Sequence, residues 1–301
     1  LRGWGCWGFP GAVFLAASPD FAASHLRPLA RVLFAPCLSA HGRQLERQPS
    51  CPTMIEPLLL TTTRVSTFFH QQALTAASGF FFERDGRLFL VTSRHVLIDR
   101  PSGHVPNRIE LELHTDAGNL TRTTGLSVLL YQGGEGVWHQ GSDAGGEIDV
   151  AVIELDRAAM PPSALYCSFT PQHLQHSLQE VEVGSSLLVV GFPLGFHDTL
   201  HHLPVVRQAV IASSFGLRFQ GKGYFLTDAR THRGTSGAPV VMRNPEGDAS
   251  LPWKLLGVHS SMVEMAGRDL QHEDLLGLNC AWYADILLTL TSKPGPPSQA
   301  R

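Results

Sequence analysis

The chain has 301 residues, with 23 Lys and Arg against 26 Asp and Glu and a formal net charge of -3. A length of this order buries one large core or two modest ones, and 43% hydrophobic against 16% charged residues describes a folded chain and excludes a disordered one. The near-even charge balance, with no long Lys/Arg run, gives no electrostatic reason for a nucleic-acid partner, and no apolar run reaches the roughly 18 residues that span a bilayer.

Residues 1–58 are rich in Trp, Gly, Pro, Arg and Ala and hold no sustained period of two or of 3.6. The chain starts with Leu1, while Met54 stands just before the first orderly segment. The expectation is a disordered extension, either spurious through a misplaced start or a processed leader. Gly11-Ala12-Val13-Phe14-Leu15-Ala16-Ala17-Ser18 has the length of a signal-peptide core, but its basic flank is only Arg2. Location follows from the start: cytoplasmic if translation begins at Met54, secreted or periplasmic if the leader is real. Of the five cysteines, Cys6, Cys37 and Cys51 fall in this extension, and Cys167 and Cys280 follow. None has the C-x-x-C spacing of zinc or redox chemistry, and their spacing outlines no disulfide framework.

From Thr61 onward, short apolar runs alternate with turn residues. Two β-prone runs, 79–84 and 87–92, flank Asp85-Gly86 and predict a hairpin. Further strands are expected at 109–115, 126–131, 150–155, 186–191, 205–213, 223–227, 239–242, 255–260 and 276–281. Many short strands with almost no helical period between them imply an all-β barrel or sandwich. The Pro-containing stretch 159–180 interrupts the pattern and reads as a connection between two strand groups. Near the end, Tyr283, Ile286, Leu287 and Leu290 share one helical face, which predicts a helix over 282–291 packed on the last strands. The Pro- and Ser-rich residues 292–301 read as a disordered tail.

The chemistry is concentrated at Gly234-Thr235-Ser236-Gly237-Ala238-Pro239. A glycine on each side of the serine lets the backbone turn tightly, so that consecutive N–H groups converge beside the hydroxyl. A serine nucleophile needs a base within hydrogen-bonding reach and a third group to orient that base. His95 closes the apolar run Phe89-Leu90-Val91-Thr92 and is the best base. Asp149 opens the apolar strand Val150-Ala151-Val152-Ile153, where a buried acid needs a partner such as a histidine N–H. Glu147 is its nearest rival and is expected to be more exposed; Asp143 and Asp156 are weaker. His197, His201 and His202 lack a zinc signature and are expected in a hydrated loop, with no metal assigned.

Three blocks, Thr92-Ser93-Arg94-His95-Val96, Asp149-Val150-Ala151-Val152 and Gly234-Thr235-Ser236-Gly237-Ala238-Pro239, resemble the catalytic segments of trypsin/chymotrypsin-like serine peptidases, with the nearer similarity to bacterial high-temperature-requirement and glutamyl endopeptidase types. Val189-Val190-Gly191-Phe192-Pro193-Leu194-Gly195 and Tyr224-Phe225-Leu226-Thr227-Asp228-Ala229 are similar to two further segments of that family. The resemblance covers about residues 61–290. It implies two six-stranded antiparallel β-barrels with a C-terminal helix, in a domain over 59–291: barrel one about 61–158, the connection 159–180, barrel two about 181–281 and the helix 282–291. It also implies a serine endopeptidase acting on a peptide or protein substrate without a cofactor. In that mechanism His95 takes the Ser236 proton and later protonates the leaving amine, while Asp149 orients the imidazole. The backbone N–H groups of Gly234 and Ser236 hold the oxyanion, and water hydrolyses the acyl-enzyme.

The chain departs from the family pattern at Thr235, where secreted animal members carry the aspartate of a zymogen switch, and at Ala238, which replaces a glycine. Arg94, just before the base, is expected to point outward. His259 resembles the histidine with which glutamyl endopeptidases read an acidic side chain before the cut, and Arg230 would add positive potential if it faced the same pocket. The alternative is that His259 packs under the pocket and Arg230 is solvated. An α/β-hydrolase is disfavoured because Ala238 breaks its nucleophile elbow and too little chain follows Ser236. A catalytically inactive, peptidase-like peptide-binding domain is the remaining alternative.

Overall fold

The computed structural model describes residues 55–262 and 277–293. The extension read before Met54, the signal-like run, three of the cysteines and most of the tail lie outside the described residues.

The first half of the described chain contributes β1 (Thr62–Phe69), β2 (Gln72–Arg84), β3 (Arg87–Thr92), β4 (Arg108–His114), β5 (Thr123–Leu129), the short β6 (Tyr131–Gln132) and β7 (Glu135–Gly136), β8 (Trp138–Asp143) and β9 (Gly146–Leu155). The second contributes β10 (Ser186–Gly191), β11 (Val205–Val210), β12 (Tyr224–Asp228), β13 (Pro239–Arg243), β14 (Trp253–Met262) and β15 (Leu278–Tyr283). Two helices are short: α1 (Arg94–Leu97) follows β3, and α2 (Ile286–Leu290) follows β15. The β2–β3 hairpin closes at Asp85-Gly86, where φ values of 53° and 75° place both residues in the left-handed region that a tight hairpin turn requires.

The strands form an antiparallel seven-stranded sheet, β5-β4-β1-β2-β3-β9-β8, and an antiparallel six-stranded sheet, β11-β10-β13-β14-β15-β12. One sheet curls into a half-barrel and the other is flatter. The all-β expectation therefore stands, but two closed six-stranded barrels do not. In the first sheet the end strands β5 and β8 are mostly half-buried or exposed and do not pair with each other. In the second, β11 and β12 are not ladder neighbours; the segments at their ends meet at the isolated bridge between Ile211 and Thr227, the bond from Ala212 N–H to Leu226 O and the bond from Leu226 N–H to Ser213 Oγ.

Continuous apolar runs arise because both faces of the central strands are covered. In β3, Phe89 and Val91 enter a core shared by the two sheets, with Val150 and Val152 of β9, Val258 of β14, Trp282 of β15 and Leu287 and Leu290 of α2. The alternate residues Leu88 and Leu90 face a core within the first sheet, with Val65, Ile109, Leu111 and Ile153. A third core, with Leu187, Val189, Phe225, Val240 and Leu256, fills the second sheet. Each fully buried Phe or Leu stabilises by about 1.5–3 kcal/mol. This shared core holds β3, β9 and β14 in register and so fixes the ends from which the chemistry projects.

Candidate active site

β3 ends at Thr92, and the single turn of α1 then carries His95 over the end of β9. Asp149, on β9, reaches back with both oxygens. Its Oδ1 accepts the His95 backbone N–H at 2.9 Å, and its Oδ2 lies 2.7 Å from His95 Nδ1. An ionised carboxylate only accepts, so Nδ1 carries the proton and Nε2 keeps the lone pair. Ser260, on β14, donates its hydroxyl to the same Oδ2. Burial pushes the Asp149 carboxyl up, yet the His95 hydrogen bond and charge, with the Ser260 hydroxyl, outweigh it, and the carboxyl lies below its ordinary range.

Ser236 sits on the turn before β13. Its Oγ donates to the Ser260 carbonyl at 3.0 Å, and among the described residues no hydrogen bond joins it to His95. Ser236, Gly234, Arg233 and His95 nevertheless line one cleft of about 610 Å3, with Ala76 and Ala77 of β2 on its wall. Among the described residues, the N–H groups of Gly234 and Ser236 have no acceptor, whereas those of Thr235, Gly237 and Ala238 bond to His232, His259 and Thr235 carbonyls.

The turn is held from behind. Gly237 has φ 86°, and a Cβ there would fall on the Ser78 carbonyl and the Thr92 hydroxyl, 2.9 Å from Thr92 Cα. Gly234 has φ 92°, with its Cβ position only 2.5 Å from the Phe192 carbonyl. Ser78, fully buried in β2, donates to the Gly234 carbonyl at 2.8 Å and accepts the Phe192 N–H at 3.0 Å. Leu194 N–H then holds the Arg233 carbonyl at 2.5 Å. Sequence reasoning missed Ser78 and Ser260. The one signal for Ser78 was a small polar residue before Gly79 inside an otherwise apolar strand.

Residues 77–248 match the family described as "Trypsin-like peptidase domain". The chain belongs to the trypsin-like peptidase family. No curated protein matches it. Among solved structures, the trypsin-like domain is similar to "HtrA-type protease AlgW with tripeptide", at 18% identity over 80% of this chain and 62% of that one, with a TM-score of 0.47. It is also similar to a point variant of that protease with tripeptide, at 17% identity over 77% and 58%, with a TM-score of 0.46. The chain thus spans about three fifths of the length of those two relatives.

Glu147 is exposed and pairs with Arg94 at 3.3 Å, so Arg94 does not point freely outward. Neighbours of His95 and Asp149 in sequence, these two opposite charges meet because α1 packs on β9. His259 is 2% exposed on β14, and its Nδ1 is buried with no hydrogen-bond partner among the described residues. Burial, then repulsion from His95, lowers its pKa to about 4. Arg230 is exposed. His197, His201 and His202 lie in the loop between β10 and β11, where His197 and His202 meet Glu112 of β4.

Proposed function

We propose that the chain is a serine endopeptidase whose domain over 59–291 hydrolyses peptide bonds through His95, Asp149 and Ser236. The observation that carries this reading is the Asp149 carboxylate, which binds both His95 Nδ1 and its backbone N–H beside a cleft that Ser236 shares. Rotation about the Ser236 side-chain bond exchanges its Ser260 acceptor for the lone pair on His95 Nε2. That nitrogen takes the hydroxyl proton as Oγ attacks the substrate carbonyl, and Asp149 stabilises the imidazolium. The unpaired N–H groups of Gly234 and Ser236 receive the oxyanion. His95 returns the proton to the leaving amine, and water releases the acyl group by the same steps. An acidic preference before the cut rests on the resemblance at His259 alone, since its Nδ1 is buried and the residue does not line the cleft.

A second reading, a peptide-binding domain without turnover, draws on the Ser236 bond to Ser260 in place of His95. A peptide-library digest by the wild type and by Ser236→Ala tests both. Serine-dependent cleavage after Asp or Glu supports the full proposal. Serine-dependent cleavage after large apolar residues removes the acidic preference, and uncleaved but retained peptides favour the second reading.

A further inference from the structure

We propose that Glu112, His197 and His202 form a binding site for a divalent transition-metal ion of the Zn2+ class, which clamps the loop between β10 and β11 onto strand β4. One ligand atom from each of the three lies within 4.8 Å of the others. In a tetrahedral zinc site with bonds of 2.0–2.2 Å, donors lie about 3.4 Å apart, so small side-chain shifts, with the His202–Glu112 pair opening from 2.7 Å, bring the set around an ion. Two imidazoles and one carboxylate match Zn2+ in softness and leave a fourth position for water.

The local chemistry prepares each donor. His197 Nδ1 lies 2.6 Å from the Gly195 carbonyl, which fixes Nδ1–H and leaves Nε2 as a lone-pair donor, the outer-sphere arrangement of metal-bound histidines. His202 Nδ1 lies 2.7 Å from Glu112 Oε1. The other oxygen, Oε2, is buried with no hydrogen-bond partner among the described residues, and the Arg64 guanidinium lies 4.0 Å from it. His202 holds φ 56°, an uncommon left-handed conformation for a residue with a side chain. About a quarter of each of the His202 and Glu112 side chains is exposed, which leaves an ion a way in.

The site would act as a clamp because its ligands come from both halves of the fold. Glu112 and His114 alternate to the same face of β4, and His114 Nε2 already lies 2.7 Å from the His201 carbonyl. The same loop begins at Phe192 and Leu194, whose backbone atoms contact Ser78 and the Arg233 carbonyl behind Gly234. A metal there braces the support of the Ser236 turn from outside the cleft.

The test reads metal uptake and is independent of the catalytic proposal. Metal-stripped full chain carrying Ser236→Ala is titrated with Zn2+ by calorimetry, and Co2+ is added separately to read its visible absorption. The expected result is one Zn2+ per chain, a Co2+ spectrum of four-coordinate intensity and a Zn2+-dependent rise in unfolding temperature. His197→Asn and Glu112→Gln, each with an unchanged far-UV spectrum, should weaken binding by more than about 100-fold, the upper range for outer-sphere changes. No stoichiometric uptake with excess Zn2+, or uptake that survives both substitutions, would overturn the proposal.

Discussion

The buried His259 imidazole makes folding stability depend on pH between its unfolded and folded pKa values. Its pKa falls from 6.5 to about 4 because burial disfavours the cation and His95 adds repulsion. As pH drops below 6.5 the unfolded chain takes up this proton first, so the native state loses stability until the folded pKa is reached. At 1.36 kcal/mol per unit, the loss from this one group is about 2 kcal/mol at pH 5 and about 3 kcal/mol at pH 4. Replacing it by His259→Gln in a Ser236→Ala background, which prevents self-digestion, removes that titration. Urea unfolding of the two proteins at about pH 7.5 and about pH 5 gives the difference, and the variant should lose about 2 kcal/mol less on acidification. Parallel stability profiles would refute the reasoning, because they would mean that His259 protonates as easily in the folded chain as in the unfolded one.

Asp149→Asn removes the acceptor that fixes the His95 tautomer, and kcat on a peptide substrate should fall by about 10⁴-fold, the loss typical of serine-protease triads, with KM little changed. Ser78→Ala leaves the buried Phe192 N–H without its acceptor and should cost about 1–3 kcal/mol in chemical denaturation, with slower turnover because the Gly234 carbonyl is released. Gly237→Ala should cost roughly 1–3 kcal/mol through its positive φ alone, with the collision against Ser78 and Thr92 in addition, and should lower the unfolding temperature more than Ala238→Gly does.

The pairing of His95 with Asp149 was legible because both residues sit at the ends of apolar strands. His95 follows the run of β3, and Asp149 interrupts the run of β9, where a buried acid demands a donor; the bond between them is the outcome that burial physics requires. The Asp85-Gly86 hairpin was legible for a similar reason, since its turn chemistry is local. Sheet closure was not. The open edges depend on the weakly apolar β5 and β8, and β8, with Trp138 among polar neighbours, carries no alternating pattern to announce a strand. Ser78 and Ser260 act through contacts between distant strands, and hydroxyls of that kind look like ordinary strand residues until the sheets are packed. The meeting of Glu112 with His197 and His202 is equally remote in sequence, which is why the histidine spacing alone read as a hydrated loop.

The most direct measurement is covalent labelling by a fluorophosphonate, with the modified residue located by peptide mass spectrometry. The reagent needs a nucleophilic serine, a base to take its proton and donors for the phosphoryl oxygen, so it reports the assembled machinery before any substrate is known. The account predicts a label on Ser236, abolished by Ser236→Ala and strongly slowed by His95→Gln in protein that keeps its far-UV spectrum. Folded wild-type protein that takes no label at Ser236, or labels at a rate indifferent to His95, would contradict it.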